Sequence, residues 1–358
     1  MVQSLARCRE CGLPGKLAEG LEWGPGGLIL LRGAKPLRLA LLDQETAGSI
    51  QASLEERHTR DACLIAEVEA VREAAGRDHT GLKGRLSRYG AAKRKILESM
   101  EGDALLLGLG RIEVERFNPG EGGAVLLRRP FNLAITAAYV TGVLEDMDVR
   151  SYAMAIDTIG EMDFRLVLET GEQGDGDTQR ISDGVKRRGA SHPGGAGNMC
   201  ERCGLPTHMA DWRWDELHGS IQAGVDGRRV AMVPSCLFDA FERLDVAGGD
   251  VRTGVVGEAI YGATMKSLQA GSGDAYENGG LPPEVSGTEA MRERMSLRGW
   301  GAVVTTHFNG GEWRIEVANP VDDALIAGWL RAIYTVAMGR EPGVEVSGGP
   351  RARRFELA

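Results

Sequence analysis

The sequence predicts an α+β protein of two tandem repeats, each an antiparallel sheet with helices packed on one side, preceded by a CxxC knuckle. Three observations carry that prediction. The string Cys8-Arg9-Glu10-Cys11-Gly12-Leu13-Pro14 returns as Cys200-Glu201-Arg202-Cys203-Gly204-Leu205-Pro206, 192 residues later (200 − 8) in a chain of 358. Two such heads, each followed by roughly 150 residues, mark a duplicated unit. The hydrophobic period also switches between two and the helical value within each half, so hairpins flank helices instead of alternating with them strand by strand. Finally, residues 170–198 hold eight glycines and few apolar side chains, the composition of a linker. The expected division is therefore a first repeat at 1–169, a flexible linker at 170–198 and an eroded second repeat at 199–358.

Taken in order, the first repeat opens with its cysteine head. Gly26-Gly27 precedes an apolar run at 28–31, a turn at 32–36 and a second run at 37–42, which read as a hairpin. Residues 43–57 form a polar helix. Residues 59–75 place Leu64, Ile65, Val68 and Val71 at helical spacing. A third helix is predicted over 80–100, with Leu82, Leu86, Tyr89, Ile96 and Leu97 on one face and a run of Lys and Arg on the others. Those charges read first as a solvated face, and second as a contact for an anionic partner. Period two returns at 111–117, a turn at 118–123 and a strand at 124–128. An Ala-rich helix follows at 131–145, in which Gly142 allows close packing, and then a hairpin at 149–169. Asp146 and Asp148 fall at the end of that helix, where a solvated turn is expected.

The second repeat replays this order. Residues 219–221 and 230–233 stand where the first hairpin stood, and 235–244 start a helix with a Ser cap. Tyr261-Gly262-Ala263 echoes Tyr89-Gly90-Ala91, and residues 275–287 read as a Gly/Pro-bearing insertion that the first repeat lacks. The middle hairpin recurs at 302–318 around Asn309-Gly310, the Ala-rich helix at 322–338 with Gly328 in the place of Gly142, and the last strand around 355–357.

Composition narrows the function classes. A net charge of −9 argues against general nucleic-acid binding. The longest mostly apolar run, 133–144, is too short to span a bilayer, and Arg7, Arg9 and Glu10 interrupt any apolar leader. The expectation is a cytoplasmic protein. In a reducing compartment, close Cys pairs are metal ligands or redox groups sooner than structural disulfides. Cys63 and Cys236 lie in apolar helical stretches and read as small core residues.

Two cysteines two residues apart grip one metal from a tight turn, and the Gly after the second frees backbone N–H groups toward the sulfurs. A structural zinc takes four ligands. The preferred reading joins Cys8, Cys11, Cys200 and Cys203 across a pseudo-twofold axis. The alternatives are one metal per repeat, completed in the second by His208 and His218, a thiol–disulfide couple, or reduced cysteines without metal. Other chemistry finds no support. The chain lacks a phosphate-binding Gly-x-x-x-x-Gly-Lys-Ser/Thr, a Gly-x-Ser-x-Gly and a His-Glu-x-x-His, and no nucleophile–base constellation can be assembled.

The strings Tyr139-Val140-Thr141-Gly142-Val143-Leu144-Glu145 and Ile326-Ala327-Gly328-Trp329-Leu330, the latter followed by Gly339-Arg340-Glu341-Pro342-Gly343-Val344-Glu345, carry a resemblance. Over the C-terminal third of each repeat the chain resembles the 4-vinyl reductase domain of hydrocarbon-binding regulatory proteins. The resemblance implies a small-molecule pocket between helices and sheet, and a preference for dimers. It departs in one respect: that family often carries zinc-binding cysteines on its last hairpin, and residues 149–169 and 344–357 hold none. The residues expected to line a pocket are Leu133, Ala137, Tyr139 and Gly142 in the first repeat and Ala324, Gly328 and Trp329 in the second, with ordinary core packing as the competing reading. The functional expectation is a binding or accessory protein for a small hydrophobic molecule or a protein partner, with zinc at the heads. A tetrapyrrole- or cofactor-related reductase or chaperone, and a scaffold subunit of a larger complex, are the rivals. The assembly is expected to be a monomer with pseudo-dimeric repeats, or a homodimer.

Overall fold

The computed structural model describes residues 7–32, 36–75, 90–170, 198–224, 227–245, 254–269 and 283–358. Residues 33–35 of the expected turn, the first part of the third helix, nearly all of the 170–198 linker and residues 275–282 lie outside the described residues.

The first repeat runs α1 (Gly15–Gly20), β1 (Leu21–Gly24), β2 (Leu28–Leu31), β3 (Leu37–Asp43), α2 (Gln44–Glu55), α3 (Arg60–Ala75) and α4 (Gly90–Leu107). It closes with β4 (Arg111–Asn118), β5 (Gly122–Arg128), α5 (Leu133–Asp148), β6 (Tyr152–Thr158) and β7 (Asp163–Thr170). The second repeat gives β8 (Arg213–Asp215), β9 (Ser220–Ala223), β10 (Arg228–Pro234), α6 (Cys236–Asp245), α7 (Val255–Gln269) and α8 (Pro283–Leu297). It ends on β11 (Ala302–Asn309), β12 (Glu312–Ala318), α9 (Asp323–Met338), β13 (Val344–Gly349) and β14 (Ala352–Leu357). The class is α+β, as expected. Each repeat owns a four-stranded antiparallel sheet of the same order, β4-β5-β7-β6 and β11-β12-β14-β13.

The third sheet belongs to both repeats. Its order is β1-β2-β3-β10-β9-β8, so the leading strands of the two halves meet at β3 and β10. The register pairs Leu41 with Met232, Leu39 with Pro234 and Asp43 with Val230. Exchanging the halves maps that ladder onto itself, which places a pseudo-twofold axis at the Leu41–Met232 pair.

Contacts across the axis are reciprocal. A Cβ on Gly27 would lie 2.3 Å from the Gly301 carbonyl oxygen, and one on Gly219 would lie 2.5 Å from that of Gly110. Both glycines have φ in the left-handed region, +68° and +61°, so a side chain there would be strained as well as blocked. The Arg38 guanidinium donates to the carbonyl oxygens of Asn319 and Pro320, at 2.5 and 3.0 Å. Its mirror, Arg229, donates to those of Arg129 and Pro130. Arg129 and Asn319 share the same left-handed backbone, φ 48° and 50°. The head of each repeat is therefore seated on the tail of the other.

Inside each repeat a helix pair carries the core. α5 is buried over nearly its whole length, as an all-round apolar helix must be. It is capped by Asn132, whose side chain accepts from the Ile135 N–H at 3.1 Å, and α9 by Asp322, accepting from the Leu325 N–H at 2.6 Å. α5 lies on α3 where Gly142 faces Val68 and Val71, and α9 lies on α7 where Gly328 faces Gly257.

That pairing corrects two sequence expectations. α7 is the partner of α9, so it is the counterpart of α3, and Tyr261-Gly262-Ala263 is not the equivalent of Tyr89-Gly90-Ala91. The segment read as an insertion is none: 13 residues (270–282) separate α7 from α8, against 14 (76–89) between α3 and α4. The letter match was local, while the helix contacts that define equivalence are not. Asp146 and Asp148 are buried, not solvated. The Asp148 carboxylate accepts from the Gly120 N–H at 2.7 Å and from the Tyr152 hydroxyl, tying the β4–β5 turn to α5.

Candidate metal centre

The two cysteine heads fold as the same small turn. In the first, the Cys8 N–H donates to the Leu13 carbonyl at 2.8 Å and the Gly12 N–H to the Cys8 carbonyl at 2.9 Å. In the second, Cys200 and Leu205 repeat the first bond at 2.8 Å, and Gly204 and Cys200 the other at 2.8 Å. Closing the loop needs a left-handed residue after the second cysteine, supplied by Gly12 (φ +73°) and Gly204 (φ +69°). Nothing stands within 4 Å of a Cβ at either position, so conformation and not space explains both glycines. Leu13 and Leu205, each 1% exposed, plug the turns into the core.

The pseudo-twofold axis then brings the heads together. Cys8 Sγ lies 3.8 Å from Cys200 Sγ, and Cys11 Sγ 3.4 Å from Cys203 Sγ. All four sulfurs fall within 4.8 Å of one another. The cysteines are free thiols. A tetrahedral metal with bonds of about 2.3 Å to sulfur holds its ligands about 3.8 Å apart, so this spacing fits a single ion. The four cysteines lie close enough to hold a metal ion.

The polar surroundings differ between the heads. Backbone N–H groups of Cys11 and Glu10 pull the Cys8 thiol down to about 7. Burial pushes Cys203 up to about 12 and also raises Cys11. Glu10 reaches across the axis, its carboxylate accepting from the Cys200 thiol at 3.3 Å. Its contact was not legible, because it depends on how the heads face each other. Four clustered thiols resist joint ionisation, and a bound dication supplies the opposing charge that lets them ionise together.

The other predicted residues stand elsewhere. His208 faces Glu293 at 3.7 Å and the His218 ring contacts the Asp215 carboxylate at 2.6 Å, so neither completes a metal site with its local cysteines. Cys63 and Cys236 are buried, and burial raises both thiols, Cys236 to about 12. Ala137, Tyr139, Gly142, Ala324, Gly328 and Trp329 are buried and Leu133 is partly so. A Cβ on Gly142 would meet Val71 Cβ at 2.7 Å, one on Gly328 the Gly257 carbonyl oxygen at 2.3 Å, and the Trp329 ring abuts Trp300 edge-on with centroids 5.8 Å apart. These contacts are close packing between helices and across the core.

No protein-family model, curated protein or solved structure matches the chain. Among the described residues, no helix is long and apolar enough to cross a membrane.

Proposed function

We propose that the protein is a zinc-clamped pseudo-dimer that serves as a binding or accessory protein, with the zinc structural. The observation that carries this reading is the convergence of Cys8, Cys11, Cys200 and Cys203, two from each repeat, at spacing suited to one tetrahedral ion. An all-sulfur set favours a soft or borderline ion, and four protein ligands leave no open position for substrate. Such a clamp closes a loop from residue 8 to residue 203 and fixes the two heads that the shared sheet also joins. The resemblance of each C-terminal third to the 4-vinyl reductase domain supports the binding half of the reading, with a small apolar-bodied molecule or a protein as partner. Native mass spectrometry of the unheated protein tests it. One zinc per chain, lost on chelation together with thermal stability, is the expected result; less than half a zinc per chain sinks the proposal.

A further inference from the structure

The pseudo-twofold axis supplies an internal control, because the last hairpin of one half can be set beside that of the other. Counting from the left-handed residues Arg129 and Asn319, Val125 is joined through Leu166 to Ile156, and Ile315 through Phe355 to Val346. β6 and β13 are therefore equivalent edge strands, with Ala155 matched to Glu345 and Asp157 to Ser347. The turns agree. The Arg129 N–H donates to the Met162 carbonyl at 2.8 Å, and the Asn319 N–H to the Arg351 carbonyl at 2.9 Å.

One side of the β6 backbone faces off the sheet. The Ile159 N–H donates to the Asp163 carbonyl at 3.0 Å, so the odd-numbered residues of the strand bond to β7. The even-numbered ones point the other way, and among them the Tyr152 N–H reaches the Glu145 carboxylate at 2.8 Å. The backbone groups of Met154, Ile156 and Thr158 line the rest of this edge, with no hydrogen-bond partner among the described residues. An edge of this kind takes on another strand unless something blocks it.

The second half carries such blocks and the first does not. On β13, Glu345 stands at the middle of the edge, Gly348 takes the backbone out of the extended region with φ +101°, and Pro350 follows at the turn. The matched residues on the first hairpin are Ala155, Thr158 and Gly160. Six large apolar side chains are left exposed among the described residues, and three of them, Val149, Ile159 and Met162, sit at the two ends of β6. Their counterparts are Gly339, Gly349 and Arg351. Charge is divided between the same two ends, with Arg150 at one and Asp157 and Glu161 at the other, all exposed.

An antiparallel partner of the same sequence brings unlike ends together. With Ala155 opposite its own copy, Met154 faces Ile156 and Asp157 faces Ala153, so no like charges are opposed. Val149 then meets the Ile159–Met162 turn of the second copy, and Arg150 comes beside Glu161. A single twofold contact covers the exposed apolar side chains at both ends and sets opposite charges side by side.

We infer that β6 is a homodimerisation edge. It pairs antiparallel with β6 of a second copy about a twofold axis at Ala155, joining the two four-stranded sheets edge to edge. β13 is its blocked counterpart. The inference does not rest on the metal reading, and zinc content measured on the same samples reports on that separately.

The test is sedimentation velocity of the full chain over a concentration series, where a reversible monomer–dimer equilibrium is expected. Ala155→Lys and Ala155→Glu each change an exposed side chain and set like charges against each other at the axis. Each is expected to weaken the dimer at least about tenfold with circular dichroism unchanged, and an equimolar mixture of the two to restore it, because Lys then faces Glu. Ser347→Lys, on β13, is expected to leave the dimer as in the wild type. A chain that stays monomeric across the series, undiminished association in both folded Ala155 variants, a dimer lost on Ser347→Lys, or a mixture that stays monomeric would overturn the assignment.

Discussion

Arg38 and Arg229 do the same work in opposite halves, each gripping two carbonyls of the other repeat's tail. Their immediate neighbours, Leu37 and Arg228, do different work: one extends a leucine ladder and the other lines a depression. Residues that face the partner repeat stay matched because a change in one half breaks a contact with the other. Positions one residue away, on the opposite face of the sheet, have diverged. The lesson of the pair is that divergence in this molecule is local to a face, not spread over a repeat.

The largest expected effect tests the matched part. Cys8→Ser removes one ligand of the four and should lower metal content to below a tenth of the wild-type value. Because metal binding is linked to folding, stability should drop by more than about 4 kcal/mol, read by chemical denaturation with and without chelator. Cys200→Ser should match it within error, since the two sit in equivalent turns. Unequal metal loss would break the symmetry of the site.

The next prediction sets the helix pairs against each other. Gly328→Ala pushes a methyl into the Gly257 backbone, which cannot rotate away, and should cost about 3 kcal/mol. Gly142→Ala meets the Val71 side chain first and the Val68 carbonyl oxygen at 2.9 Å, so a smaller cost of about 2 kcal/mol is expected. Thermal denaturation of both variants ranks them, and a reversed order would show that α3 gives way less readily than α7.

Glu67 on α3 has no described carboxylate counterpart in the mirror helix and sharpens the contrast. It is fully buried, and neither carboxylate oxygen has a hydrogen-bond partner among the described residues. Burial, with Glu55 nearby, pushes it up to about 8 from the usual 4.5. The folded state therefore holds a proton that the unfolded chain releases between those values. Stability should be highest near pH 4.5 and fall as pH rises to about 8, by roughly 2–4 kcal/mol. Glu67→Gln should flatten that slope, as measured by urea denaturation at pH 5, 6.5 and 8; an unchanged slope would mean another group is responsible.

The smallest effect lies at Trp300. Its ring N–H donates to the Leu41 carbonyl at 3.1 Å, beside the axis, where the mirror residue is Leu109 and no such bond is available. Trp300→Phe keeps most of the apolar bulk and leaves the Leu41 oxygen short of one donor, so a loss of about 1–2 kcal/mol is expected in the same denaturation assay.

Much of the fold was legible. The hairpins β4–β5 and β11–β12 announce themselves by period two around Gly-rich turns, and α5 and α9 by their Ala-rich runs. β1 and β8 were not legible, because Leu21–Gly24 and Arg213–Asp215 are too short to show a period. α4 runs to Leu107, past the predicted stop at residue 100, since Gly102 is tolerated in a helix that packs well. The cysteines were found because a spaced pair repeated intact is a strong local signal. Glu10 was missed, because it matters through Cys200 of the other half.

What the sequence alone determined is the duplication, the α+β class and the cysteine pairs as candidate ligands. Each follows from order and period within about 20 residues, which is the range over which side-chain pattern dictates backbone. What the tertiary structure decided is that β3 and β10 share one sheet, that each head sits on the opposite tail, and that four sulfurs from two repeats meet at one point. Those outcomes depend on backbone hydrogen bonds and glycine-sized clearances between segments about 190 residues apart, and no local pattern encodes them.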